Sequence, residues 1–286
     1  MYLKYLTHLK TLTNHILIFD KDCPLCTIYT KLFVKYGFLD DKGRQAYQDM
    51  DFDNTNVDTD LARNQIALLN TTTGEAIYGI DALTKVLANK FSFIGLFMKF
   101  KPLYWLMTQL YSLISYNRKI VIPVSCNNLT SCNPSKNWFW RILIILICGV
   151  AVQLVYPLYM NTFFEKSIIN TFYLKESLLF VGLLIFQRFF CILLKEKNSY
   201  DYIGHVSFIS FMATLYLICF YVLLKILSLM GIETTLLGII CYGIVSGWMF
   251  LEHRRRMNIL GMNKWLTWSW VLYKIIAFGL VFSLVL

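Results

Sequence analysis

Hydrophobic positions near the start of the chain switch between two periods. Ile16-Leu17-Ile18-Phe19 is a short apolar, β-branched run that reads as a buried strand. It stops at a charged turn, Asp20-Lys21-Asp22, and from Thr27 to Phe38 the apolar residues Ile28, Leu32, Phe33 and Tyr36 follow helical spacing. Arg44 to Met50 reads as a second strand. Val57 to Arg63 reads as a short helix, with Asp58 and Asp60 placed favourably at its N-terminus. Residues 65–70 and 75–78 flank Thr71-Thr72-Thr73-Gly74 as a hairpin, and 81–90 predicts a helix with Asp81 as N-cap. The order is βαβαββα. Phe91–Phe100 and Leu103–Tyr116 are apolar and aromatic, but each is shorter than the ~20 residues of a spanning helix. They read either as helices packed on the α/β core or as membrane-surface helices, with Leu96, Phe97, Phe100, Trp105 and Leu106 on lipid and Lys99 and Lys101 among headgroups.

From Trp138 onward the pattern loses its polar positions. Five apolar segments, about 138–160, 171–194, 205–230, 234–251 and 265–286, are each long enough for a bilayer of ~30 Å hydrocarbon thickness. Trp138, Trp140, Tyr159, Tyr173, Trp248, Trp265 and Trp268 mark their ends as interfacial belts do. The predicted organisation is an N-terminal α/β domain over 1–120, including the helical extension 91–120, then a cysteine-containing linker over 121–137. An all-α transmembrane bundle of about five helices fills 138–286. Composition agrees: the chain is 57% hydrophobic and 15% charged, and eleven of its seventeen acidic residues precede residue 138. Connections on one side carry Lys136, Arg141, Arg188, Lys195, Lys197, Arg254, Arg255, Arg256 and Lys264, against Lys166, Lys175 and Lys225 on the other. That excess predicts a cytoplasmic N-terminal domain and an outside C-terminus, in accord with the amphipathic first fourteen residues, which lack the apolar core of a signal peptide.

Chemistry concentrates at the first turn. Cys23-Pro24-Leu25-Cys26 falls where the first strand hands over to the first helix, with Pro24 where a missing N–H costs nothing. Unpaired N–H groups and the helix dipole lower a thiol pKa there, and the thiolate is the reactive form. The run Asp20-Lys21-Asp22-Cys23-Pro24-Leu25-Cys26, together with Tyr78-Gly79-Ile80-Asp81-Ala82-Leu83 and Tyr116-Asn117-Arg118, resembles the DCC family of thiol-disulfide oxidoreductases, named for its DxxCxxC signature. The resemblance covers roughly the first 120 residues and implies a thioredoxin-like fold and disulfide exchange. Thioredoxin-like folds usually place a cis-proline before the third strand, where this chain has Asn64-Gln65, so its grip on a peptide substrate should differ.

The expected roles are Cys23 as attacking thiolate and Cys26 as resolving thiol. Asp20 either relays a proton to Cys26 or caps the helix, and Asp22 either caps it or opposes thiolate formation by like charge. In the cytosol such a pair rests as a dithiol, which favours a reductase. The expected partner is a protein or small-molecule thiol or disulfide, with no cofactor and no nucleic acid. Cys126 and Cys132, ahead of the first spanning segment, read as loop thiols, a second redox pair, or half of a zinc site with Cys23 and Cys26. Cys148, Cys191, Cys219 and Cys241 fall singly in apolar segments as small hydrophobes. Lys274 lies about nine residues into the last segment, where it either snorkels or meets an anionic or quinone-like headgroup. Gln187-Arg188 and His205 read as interface anchors. Two rivals remain at this level: a non-catalytic metal-binding CxxC module, and a haloacid-dehalogenase-like phosphatase with Asp20 as nucleophile and Asp22 as acid/base.

Overall fold

The computed structural model describes residues 11–124, 134–164 and 174–283, and the chain divides into two compact units, Met1–Arg141 and Ile142–Leu286. Cys126 and Cys132, and with them the reading as a second redox pair or half a zinc site, lie outside the described residues.

In the first unit, strands β1 (His15–Phe19), β2 (Arg44–Ala46), β3 (Ala67–Asn70) and β4 (Ala76–Tyr78) form a sheet in the order β2-β1-β3-β4. β1 runs parallel to β2 and antiparallel to β3, and β3 runs antiparallel to β4, which is the thioredoxin-like arrangement. Both faces of the sheet are covered, so β1 buries Leu17, Ile18 and Phe19 in succession rather than in alternation. On one face Leu17 and Leu68 pack with Tyr29 and Phe33 of helix α1 (Pro24–Lys35) and Ala82 and Val86 of helix α3 (Gly79–Lys90). On the other, Ile18, Ala67 and Leu69 pack with Ala62 of helix α2 (Thr59–Asn64).

Several local expectations shift. β2 stops at Ala46 and gives way to a 3-10 turn, Tyr47–Asp49, because Gln48 turns toward the Asp20 loop. α2 is capped by Asp58, whose Oδ1 accepts from the N–H groups of Asp60 and Leu61 at 2.9 Å each. Asp81, expected as a cap, sits inside the first turn of α3, which begins two residues earlier. Its carboxylate instead accepts a hydrogen bond from Tyr104 at 3.2 Å. Gly79 takes φ +61°, and a Cβ there would meet the Gln65 amide, so glycine is required where α3 starts beside Gln65. Helices α4 (Ser92–Met98) and α5 (Lys101–Val121) occupy the aromatic stretch, and α5 runs five residues beyond the predicted end.

The second unit holds helices α7 (Lys175–Leu193), α8 (Ser199–Leu229), α9 (Thr235–Leu260) and α10 (Trp265–Ser283), together with most of α6 (Trp138–Phe163). Among the described residues four helices, α6 to α9, are long and apolar enough to cross a membrane, and α10 occupies the fifth predicted segment. α8 and α9 outrun their apolar segments because the extra turns are polar inside the bundle rather than in loops. His205 and Gln187 are fully buried instead of anchoring an interface, and Arg256, counted among loop cations, is 3% exposed. Arg256 bonds Glu252 at 2.7 Å and meets His205 at 2.9 Å. Tyr202 donates to Gln187 at 2.5 Å and lies 3.2 Å from His253, which meets Thr267 at 3.1 Å. Arg188 faces outward, and Lys274 stands over the Trp270 ring at 5.3 Å.

Candidate active site

Cys23 itself caps α1. Its sulfur accepts from the Cys26 N–H at 3.3 Å, and Pro24 takes the first helical position where no donor is needed. Neither aspartate is the cap, contrary to one sequence expectation. The Cys26 thiol donates to the Cys23 sulfur at 2.8 Å, so the two side chains face one another across the first turn. Both are free thiols.

The environment separates their acidities. Hydrogen bonding from Cys26 stabilises a Cys23 thiolate against its burial, and the Arg118 guanidinium adds to this, so Cys23 is lowered to about 7. Cys26 goes the other way, pushed well above the ordinary thiol range first by its hydrogen bond to Cys23 and then by burial. The carboxylate that opposes the Cys23 thiolate is Asp20, not its neighbour Asp22. Asp22 is turned aside, where its Oδ2 accepts from Gln48 at 3.3 Å.

Asp20 is 5% exposed and fully engaged. Its Oδ1 accepts from the Asp22 N–H at 3.0 Å and from Gln48 at 2.7 Å, and its Oδ2 faces Arg118 Nη2 at 3.2 Å. Asp20 is thus held on one side by the turn and on the other by Arg118, and it lines the same small cavity as Cys26. Arg118, quoted in the sequence only as part of a motif, is the residue to which sequence reasoning gave no role. From α5 it also donates to the carbonyls of Arg63 at 3.0 Å and Ser115 at 3.4 Å, the former in the last turn of α2, where helix carbonyls favour a cation.

Cys26 borders a cavity of about 30 Å³, lined also by Asp20, Tyr29, Gln65, Tyr111, Ser115 and Arg118. That is room for a water or two. Burial raises the hydroxyl pKa of both Tyr29 and Tyr111, so they stay neutral. Where thioredoxin-like folds carry cis-proline, the chain bonds itself: the Gln65 N–H donates to Leu61 O at 2.8 Å and the Ile66 N–H to the Tyr111 hydroxyl at 2.9 Å. Among the described residues no group of three or more His, Cys, Asp or Glu side chains is arranged to hold a metal ion.

Residues 17–121, a little over a third of the chain, match the family model described as DCC1-like thiol-disulfide oxidoreductase. The match includes Cys23, Cys26, Asp20 and Arg118, and ends at the last residue of α5. Neither curated proteins nor solved structures gave a match to the chain.

Proposed function

We propose that the DCC1-like portion is a membrane-tethered reductase that works by thiol-disulfide exchange through Cys23 and Cys26. The observation that carries this reading is the 2.8 Å contact between the two sulfurs, with acidity moved onto Cys23 and away from Cys26. The Cys23 thiolate attacks one sulfur of a substrate disulfide, forming a mixed disulfide and releasing the first substrate thiolate. Cys26 then gives up its proton and attacks the Cys23 sulfur. The substrate leaves as a second thiolate, and the pair is left as an internal disulfide. Two electrons have passed to the substrate, and an external thiol donor returns them in the reverse exchange. Cys23 is 4% exposed, so this reading requires neighbouring side chains to move before a substrate disulfide reaches it.

Direction and sidedness are part of the same proposal. A cytoplasmic first unit would keep the pair reduced between turnovers, since cytosolic thiol pools reduce accessible disulfides. The loop cations favour that orientation, although Arg256 no longer belongs to the count. Trapping tests the chemistry. With Cys26→Ser, mixed disulfides should accumulate on Cys23 and vanish when Cys23→Ser is added. The reading fails if no protein or small thiol is captured and the native pair resists oxidation. Sidedness is tested by a Thr73→Cys variant on the exposed hairpin turn. It should gain labelling by an impermeant maleimide over the unaltered chain only after cells are permeabilised.

A further inference from the structure

Helix α4 and the start of α5 present an apolar face that no other described residue covers. Phe93, Leu96, Phe97, Phe100, Trp105 and Leu106 are between 46% and 69% exposed. Single exposed apolar side chains are ordinary, but six large ones on consecutive turns mark a surface that meets something.

Three observations identify what covers it. The first is charge. From Ala82 to Phe164 the sequence has no acidic residue, whereas it carries eight cations: Lys85, Lys90, Lys99, Lys101, Arg118, Lys119, Lys136 and Arg141. Lys99 and Lys101 are exposed and interleaved with the apolar six, so the face suits an anionic surface. The second is tethering. Ser135 is fastened to Asn64 by its N–H at 2.7 Å and its hydroxyl at 2.9 Å, and the Trp140 ring stacks on Tyr116. Trp138 opens α6, one of the helices able to cross a membrane, so a bilayer begins within a few residues of a point fixed to this unit. The third is residue type, since aromatic rings beside lysines are what the headgroup layer accommodates. A second copy of the chain fits less well. A two-fold contact through this face would bring Lys99 and Lys101 of both copies together, with no acidic residue of the same segment to answer them.

We propose that α4 and the first turns of α5 lie in the interfacial layer of the bilayer, with acyl chains against the six apolar side chains and anionic lipid headgroups around Lys99 and Lys101. The face is rigidly joined to the redox helix. Ring contacts of 5.5–6.3 Å run unbroken from Tyr29 and Phe33 of α1 through Phe38, Phe91 and Phe93 to Phe97. The cysteine turn is therefore held at a fixed height over the lipid, whatever its chemistry.

The test uses the full chain, one copy per nanodisc, in a mixture of anionic and neutral phospholipid that includes a photoactivatable diazirine on the acyl chain. Peptide mapping should place label on residues 93–106 as well as on α6, and none on the hairpin turn at 71–74. Replacing anionic by neutral lipid, or introducing Phe97→Glu with Trp105→Glu, should lower the label on 93–106 several-fold while leaving α6 unchanged. Label confined to α6–α10 in the unaltered protein overturns the proposal. So does a dimer, formed in discs loaded with two copies, in which 93–106 is cross-linked between copies and shielded from lipid. The readout involves no cysteine, so it stands or falls apart from the exchange reaction.

Discussion

Arg118 Nη2 lies 3.2 Å from Asp20 Oδ2, an ion pair buried at 7% and 4% side-chain exposure between residues ninety-eight positions apart. It joins the far end of α5 to the loop that leads into the cysteines. The pair explains how the loop is held, and it places a cation where it can act on the thiolate.

Replacing Arg118 by Met should cost stability on the order of 3–5 kcal/mol, because it strands the Asp20 carboxylate in the interior. The same change should raise the Cys23 pKa, since the guanidinium is one of the groups that lower it. Arg118→Lys keeps a charge but loses the fork that reaches the Arg63 and Ser115 carbonyls. It should therefore restore more of the thiol acidity than of the stability. Thermal unfolding and the pH dependence of alkylation separate the two effects.

Alkylation of Cys23 should rise through a midpoint of about pH 7 and level off above it. In Cys26→Ser the sulfur donor is replaced by a hydroxyl that can still reach Cys23, so the midpoint should stay low. In Cys26→Ala it should move up toward the ordinary 9.0. Equal midpoints in the Ala variant and the native protein would show that the 2.8 Å contact does not set the acidity.

Because the folded-state value for Cys23 is depressed below its unfolded one, ionisation of this thiol favours the native state. Its contribution is complete above pH 9 and is lost as the pH falls through about 7. Comparing reduced native protein with Cys23→Ser in denaturant titrations between pH 6 and 8.5 should show the native protein gaining on the variant as the pH rises. A difference that stays flat with pH contradicts the assignment.

Gln48 clamps the turn with three bonds: to Asp20 at 2.7 Å, to Asp22 at 3.3 Å, and from the Lys21 N–H at 3.1 Å. Gln48→Ala leaves a buried carboxylate oxygen short of a donor and should destabilise the first unit by about 1–3 kcal/mol. Hydrogen exchange should report the loss at residues 20–26 first.

Tyr111→Phe removes the acceptor of the Ile66 N–H and should cost about 1–3 kcal/mol by leaving that donor buried and unpaired. If substrate polypeptide pairs with this segment, the freed donor should lower the KM for a peptide disulfide while leaving that for a small disulfide unchanged. Equal effects on both substrates would mean that the segment is not where a chain docks.

Much of this protein was legible in one dimension. A strand that ends in a charged turn, a proline between two cysteines and helical spacing afterward are local patterns, and backbone sterics and caps act within a few residues. They placed Cys23 and Cys26 at the start of α1, set the order of elements that folds as β2-β1-β3-β4, and marked the helices able to cross a membrane. Pairings across long separations were not legible. Asp20 with Arg118, Ile66 with Tyr111, and Gln187 with Tyr202 and Ser269 depend on where distant elements pack. No periodicity encodes them. Asp20 therefore read as a cap or a relay until packing brought a cation to it, and His205 read as an interface anchor and Arg256 as a loop cation until the bundle enclosed them. Local propensity fixed where each element lies along the chain, while burial, which only the tertiary structure creates, decided which polar groups had to find one another and so what each could do.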